Sequence, residues 1–221
     1  MSTGTGRAKS APDAGTQRQP MAVIGAWVAS PTVFADERGS FVSTYVDSNH
    51  RALTGNALFD LAQVSYSRSA ADVVRGVHFA LTPPGQAKYV FCSAGEVLDV
   101  VVDLRRGSPT FGRWDSVHLK AAAGTAVYLP IGIGHAFLAL TDEASMTYLL
   151  SASYVPEREL TLSVHDPRIA LDPRMRAGRA MSHRDRHAPT LDELEAQGLL
   201  PDYHDSLRLE RELVPPGLVT P

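Results

Sequence analysis

Val97-Leu98-Asp99-Val100-Val101-Val102-Asp103-Leu104 decides the fold class. Leu98, Val100, Val102 and Leu104 fall on one face of an extended chain and Asp99 and Asp103 on the other, the period-two signature of a strand. The surrounding sequence keeps the same rhythm. Short apolar segments at 114–119, 125–129, 135–140 and 146–152 follow at close spacing with Gly and Pro between them, the pattern of an all-β sandwich or barrel. Upstream, Thr32-Val33-Phe34 and residues 41–46 read as strands around the turn Asp36-Glu37-Arg38-Gly39. Helical periodicity is confined to residues 49–58 and to a segment starting near Thr190, where Leu191 and Leu194 share a face.

The 221 residues, 44% of them hydrophobic, suffice for one well-buried core and do not demand two. Residues 1–20, rich in Gly, Ser, Thr and Ala, bring too little apolar surface to offset ordering and are expected to form a disordered tail. Residues 21–205 then form the domain and 206–221 a carboxyl-terminal tail. The 21 basic and 24 acidic residues nearly cancel, and no run of five like charges occurs, which argues against a nucleic-acid polymer or an acidic membrane as partner. No stretch approaches the apolar length of a membrane span or signal-peptide core. The single cysteine, Cys92, sits in the apolar run Tyr89-Val90-Phe91-Cys92 and reads as a small core residue, in keeping with a reducing cytoplasm.

Arg75-Gly76-Val77-His78 is followed by Pro83-Pro84-Gly85-Gln86-Ala87-Lys88, which places a permanent cation, a base and a lysine on neighbouring strands across one loop. Each has an ordinary reading alone, since a single histidine is usually a satisfied structural group and a lysine is usually solvated. Lys88 follows His78 by ten residues and opens an apolar strand, so an antiparallel return would bring both to one mouth of a barrel.

The run VRGVHFALTPPGQAKYVFCSAGEVLDVVVDLRRGSPTF, residues 74–111, resembles the dTDP-4-keto-6-deoxyhexose 3,5-epimerases of deoxysugar biosynthesis. Asp36-Glu37-Arg38-Gly39-Ser40-Phe41 is similar to the family's D-x-R-G-x-F. Residues 129–137 resemble its P-x-G-x-x-H-x-F turn, and Ser182-His183-Arg184-Asp185 its S-x-x-D, so that residues 22–205 are covered in order. The resemblance implies an all-β fold, a double-stranded β-helix (cupin or jelly-roll) barrel with a few short peripheral helices. It also implies epimerisation beside a 4-keto group with no metal and no cofactor.

Such a reaction needs a base on one face of the sugar, an acid on the other, and a charge at the oxygen where the enolate develops. The resemblance assigns the base to His78, paired with Asp185, the enolate-stabilising ammonium to Lys88, and the acid to Tyr148. It further places Arg38 and Arg75 on the diphosphate, Gln63 near the nucleotide and His135 in or beside the site, and it implies a dTDP-linked 4-keto-deoxysugar as substrate. Family members are homodimers in which an amino-terminal strand can exchange, a part that residues 22–46 would play here.

Some positions depart from the family pattern: Ser43 and Ser65 stand where an acidic residue and an asparagine are usual, and Leu171-Asp172-Pro173 stands where W-P is common. The usual tyrosine pair is Ser153-Tyr154. With the carboxyl-terminal SHRDRHAPTLDELEAQGLLPDY, these align the chain with the antibiotic-deoxysugar branch, whose members invert C3, C5 or both. Three other readings compete. A metal-dependent cupin enzyme needs a facial cluster of histidines and a carboxylate, but no H-x-H is present and Lys88 occupies ligand territory. A non-catalytic sugar-nucleotide-binding cupin predicts a broken constellation, but His78, Lys88, Tyr148 and Asp185 are all there. A 3,4-ketoisomerase is disfavoured by R-G-x-H with P-P-x-Q-x-K.

Overall fold

A computed structural model describes residues 15–213. The strands are β1 (Gln17–Pro20), β2 (Trp27–Ser30), β3 (Val33–Asp36), β4 (Gly39–Val42), β5 (Gln63–Ser69), β6 (Val74–Ala80), β7 (Lys88–Ala94), β8 (Glu96–Asp103), β9 (Trp114–Lys120), β10 (Ala126–Leu129), β11 (Ile133–Ala139), β12 (Ala144–Leu150) and β13 (Glu159–Thr161). The α-helices are α1 (Asp47–Thr54), α2 (Pro173–Arg176), α3 (His183–Arg186), α4 (Leu191–Ala196) and α5 (Tyr203–Leu213). One sheet has the order β1-β2-β10-β7-β12-β5, the other β13-β6-β11-β8-β9, and β3-β4 forms a separate hairpin. Mostly β, with antiparallel crossovers between the two sheets, this is the expected jelly-roll barrel.

β8 shows why these residues make this fold. Its even positions Leu98, Val100 and Val102 pack outward against Leu162, Leu171, Met175, Leu191 and Leu194, so the helices after β13 cover the five-stranded sheet. Its odd positions face the barrel interior, where Val97 and Val101 meet Val90, Cys92, Val127, Leu129, Phe137 and Met146. Asp99 and Asp103 share that interior face and are fully buried. Dehydrated carboxylates need partners. Asp103 accepts both arms of the Arg105 guanidinium at 2.8 Å and the hydroxyls of Ser108 and Thr110 at 2.6 Å. Arg105 also donates to the Ile24 carbonyl at 2.7 Å and lies over the Tyr203 ring at 5.1 Å, tying the segment before β2 to α5.

Both chain-end expectations are corrected. Residues 1–14 of the expected tail lie outside the described residues, but Gln17–Pro20 form β1, paired antiparallel with β2. In the expected 206–221 tail, α5 continues to Leu213. Leu209 and Leu213 pack on the outer face of the six-stranded sheet beside Trp27, Phe59 and Tyr128, and Glu210 accepts hydrogen bonds from the Tyr128 hydroxyl and the Ile131 amide. The helix expected from Thr190 is α4, with Thr190 as N-cap in a capping box with Glu193 and with Leu191 and Leu194 buried. Cys92 is a buried core residue whose thiol is pushed up by burial.

Candidate active site

A cavity of about 340 Å³ opens between the two sheets. The six-stranded sheet supplies Gln63, Ser65 and Ser67 from β5, Lys88 from β7 and Tyr148 from β12. The five-stranded sheet supplies Arg75 and His78 from β6, His135 from β11 and Glu159 from β13, and Arg184 reaches in from α3. The size suits a ligand held by a few convergent polar groups. His78 and Lys88 meet here, though not as strand neighbours: the segment between β6 and β7 passes from one sheet to the other, so the two side chains approach from different sheets.

Arg75 and His78 are three residues apart, a spacing that sends side chains to opposite faces of a regular strand. In the pairing of β6 with β11, His135 stands opposite His78 and Phe137 opposite Arg75, so three steps on β6 match two on β11. This bulge brings Arg75 and His78 to one face. Gly76 makes it possible. Its φ is +109°, and a Cβ there would lie 2.4 Å from the His135 carbonyl oxygen and 2.8 Å from the Ala136 Cα.

The His78 Nε2 lies 2.7 Å from Asp185 Oδ1, and Asp185 is only 3% exposed. Ser182 caps α3 by accepting the Asp185 amide at 3.0 Å, which fixes the carboxylate under the imidazole. Burial pushes the Asp185 carboxyl up, but hydrogen bonds from His78, Ser182 and the Gly76 amide outweigh it and hold it below the usual range. An ionised Asp185 accepts only, so the His78 proton sits on Nε2 and the lone pair on Nδ1.

A second pair lies beside the first. His135 Nε2 is 2.6 Å from Asp99 Oδ1, both are buried, and the other Asp99 oxygen has no partner among the described residues. The Tyr148 ring meets His135 edge-on at 6.1 Å, and its hydroxyl shares a 3.0 Å hydrogen bond with Ser67. Burial pushes the Tyr148 phenol up to about 12, with the Ser67 bond working in the other direction. Lys88 is buried, with its Nζ 3.9 Å from Glu159 Oε1. Burial lowers its ammonium and Arg184 adds to this, while Glu159 opposes both.

Arg75 lies at the mouth of the cavity, donating to Ser69 Oγ at 3.0 Å and to the Arg68 carbonyl at 3.1 Å. The Gln63 side-chain oxygen Oε1 accepts the Tyr154 amide at 2.8 Å. Asp185 does not line the cavity but stands behind His78, and Arg38 is not brought to the site at all. It sits on the β3-β4 hairpin, 85% exposed and paired with Asp36 at 2.5 Å. Sequence reasoning gave no role to Asp99, Glu159 or Arg184. Asp99 carried no distinct signal, because opposite the apolar face of Val97–Leu104 a carboxylate reads as solvent-facing.

Among the described residues no group of three or more His, Cys, Asp or Glu side chains is arranged to hold a metal ion, and no helix is long and apolar enough to cross a membrane.

The family model described as dTDP-4-dehydrorhamnose 3,5-epimerase matches residues 20–193. A Mycobacterium tuberculosis dTDP-4-dehydrorhamnose 3,5-epimerase is 47% identical over 193 residues, 86% of this chain and 95% of that protein. The solved M. tuberculosis RmlC epimerase superposes with a TM-score of 0.84 at 45% identity, covering 89% of this chain and 99% of that one. NovW, a 4-keto-6-deoxy sugar epimerase from the novobiocin biosynthetic gene cluster of Streptomyces spheroides, superposes with a TM-score of 0.82 at 41% identity over 90% of this chain and 100% of its own. ChmJ, a 3'-monoepimerase from Streptomyces bikiniensis solved with dTDP-quinovose, gives 0.81 at 41% identity over 88% and 98%. With its motifs in order along the barrel and a match across most of its length, the chain belongs to the dTDP-4-dehydrorhamnose 3,5-epimerase family.

Proposed function

We propose that this protein is an isomerase that epimerises C3, C5 or both in a dTDP-4-keto-6-deoxyhexose, in deoxysugar biosynthesis. The observation that carries the reading is the convergence of the His78–Asp185 pair, Lys88 and Tyr148 on one cavity. His78 Nδ1 removes a proton from a carbon beside the ketone, and Asp185 steadies the resulting imidazolium. The Lys88 ammonium faces the C4 oxygen, where enolate charge develops in a largely dry setting. Tyr148 returns a proton to the opposite face. Arg75 and Arg184 at the mouth suit the diphosphate, and Gln63 lies where the nucleoside would follow. His135, held by Asp99, lines the wall between base and acid.

The assembly is a homodimer in which the β3-β4 hairpin crosses to the partner and presents Arg38 to its diphosphate. Support comes from the hairpin itself: among the described residues β3 and β4 pair only with each other, and Phe34 and Phe41 stand exposed, as do Val64 and Tyr66 on the outer row of β5. A cytoplasmic setting fits the single buried thiol.

The test is incubation of the EDTA-treated protein with dTDP-4-keto-6-deoxyglucose in deuterated water, followed by NMR. Label at C3 or C5 that disappears in His78→Ala supports the reading. Absence of label with bound substrate overturns it in favour of a binding module.

A further inference from the structure

The inward row of β5 reads Gln63, Ser65, Ser67, Ser69, and each of these side chains is hydrogen-bonded. Gln63 Nε2 donates to Ser65 Oγ at 2.7 Å, Ser67 shares its 3.0 Å bond with the Tyr148 hydroxyl, and Ser69 Oγ accepts Arg75 Nε at 3.0 Å. Across the pairing, Tyr148 stands opposite Ser65 and Met146 opposite Ser67, so the Ser67 bond is a diagonal one that runs along the strand to the tip of the ring. β12 fixes where the Tyr148 ring begins. Ser67 is the one hydrogen-bond partner of its hydroxyl among the described residues.

We propose that Ser67 is a positioning residue for Tyr148, holding its hydroxyl where a proton can be delivered to the face opposite His78 and so deciding between inversion and simple exchange. The inference rests on the function proposed above. His78 takes the proton, and the electron pair of the broken C–H bond becomes the enolate. The enolate carbon then takes the Tyr148 proton on its other face. Phenolate and imidazolium remain, and exchange with solvent restores both. During that step the Ser67 hydroxyl donates to the forming phenolate and offsets part of the burial that makes this phenol reluctant to ionise. Without Ser67 the base still works, but the imidazolium exchanges its proton with solvent and reprotonates the enolate carbon on the face the proton left. In deuterated water that appears as label without inversion.

Full-length wild type, Ser67→Ala and Ser67→Thr would be compared on dTDP-4-keto-6-deoxyglucose in deuterated water, with NMR separating label in sugar of unchanged configuration from inverted product. Ser67→Ala is expected to raise the ratio of label without inversion to inversion on the order of tenfold, the worth of one ordinary hydrogen bond. Ser67→Thr, which keeps the hydroxyl, is expected to stay near wild type. Ser67 is half-buried on the cavity wall, so its truncation leaves the core intact. Exchange and inversion falling together in Ser67→Ala, an unchanged ratio, or a Ser67→Thr ratio as altered as that of alanine would each overturn the proposal while leaving the function standing. No label in wild type would overturn both.

Discussion

Asp185 is a carboxylate almost wholly out of water, and it stays ionised because donors from three directions reach it: His78, Ser182 and the Gly76 amide. Asp185→Asn keeps the shape and loses the charge. Its amide would donate toward His78, favour the wrong tautomer and lower kcat by on the order of a thousandfold, with circular dichroism unchanged. Lys88 gives a prediction in pH. Only its charged form holds an enolate, and burial lowers its ammonium. The rate should therefore fall as pH rises through the Lys88 value, below the about 10.4 of a free lysine; a profile of kcat against pH that stays flat to that value would refute the assignment. That His78, Lys88 and Asp185 could share a site was legible because they sit in long ordered motifs, whereas Tyr148 was assigned by the resemblance alone. The Asp99–His135 pair was not legible, because a carboxylate within an alternating strand reads as one on a solvent face until the second sheet is known to cover it.

At the scale of elements, β6 departs most from what spacing alone conveys. Alternation separates Arg75 from His78, and the bulge at Gly76 reunites them. Gly76→Ala would force its Cβ against the β11 backbone, push β6 away from His135 and displace His78. A shift near 1 Å costs about a hundredfold in rate, so kcat/KM should fall by at least that much, with a lowered melting temperature in a thermal scan. The long apolar strands β8 and β11 were plain in the sequence. β1 was invisible to hydropathy, since all four of its residues are exposed and its contribution is backbone pairing. α5 gave a faint signal, Leu209 and Leu213 four apart, in a segment otherwise rich in charge.

For the whole molecule, the barrel was legible from strand rhythm and motif order, whereas the role proposed for Arg38 requires a second copy of the chain. Mixing Arg38→Ala with His78→Ala tests this. If the hairpin serves the partner's cavity, half of randomly paired dimers are mixed and each has one intact site, which restores roughly a quarter of wild-type sites. If Arg38 acts within its own chain, mixing restores nothing, and a steady-state assay on refolded mixtures separates the two. The assignment of side chains to sheets carries a stereochemical consequence. His78 hangs from β6 and Tyr148 from β12, strands of different sheets, and facing sheets pack about 10 Å apart. A flat ring lying between two such walls presents its top to one and its underside to the other. With His78 as base and Tyr148 as acid, as proposed, the handedness of the chemistry would be set by the sandwich itself, and the spacing between its layers, governed by core side chains such as Phe137, would become a quantity on which stereochemical outcome depends.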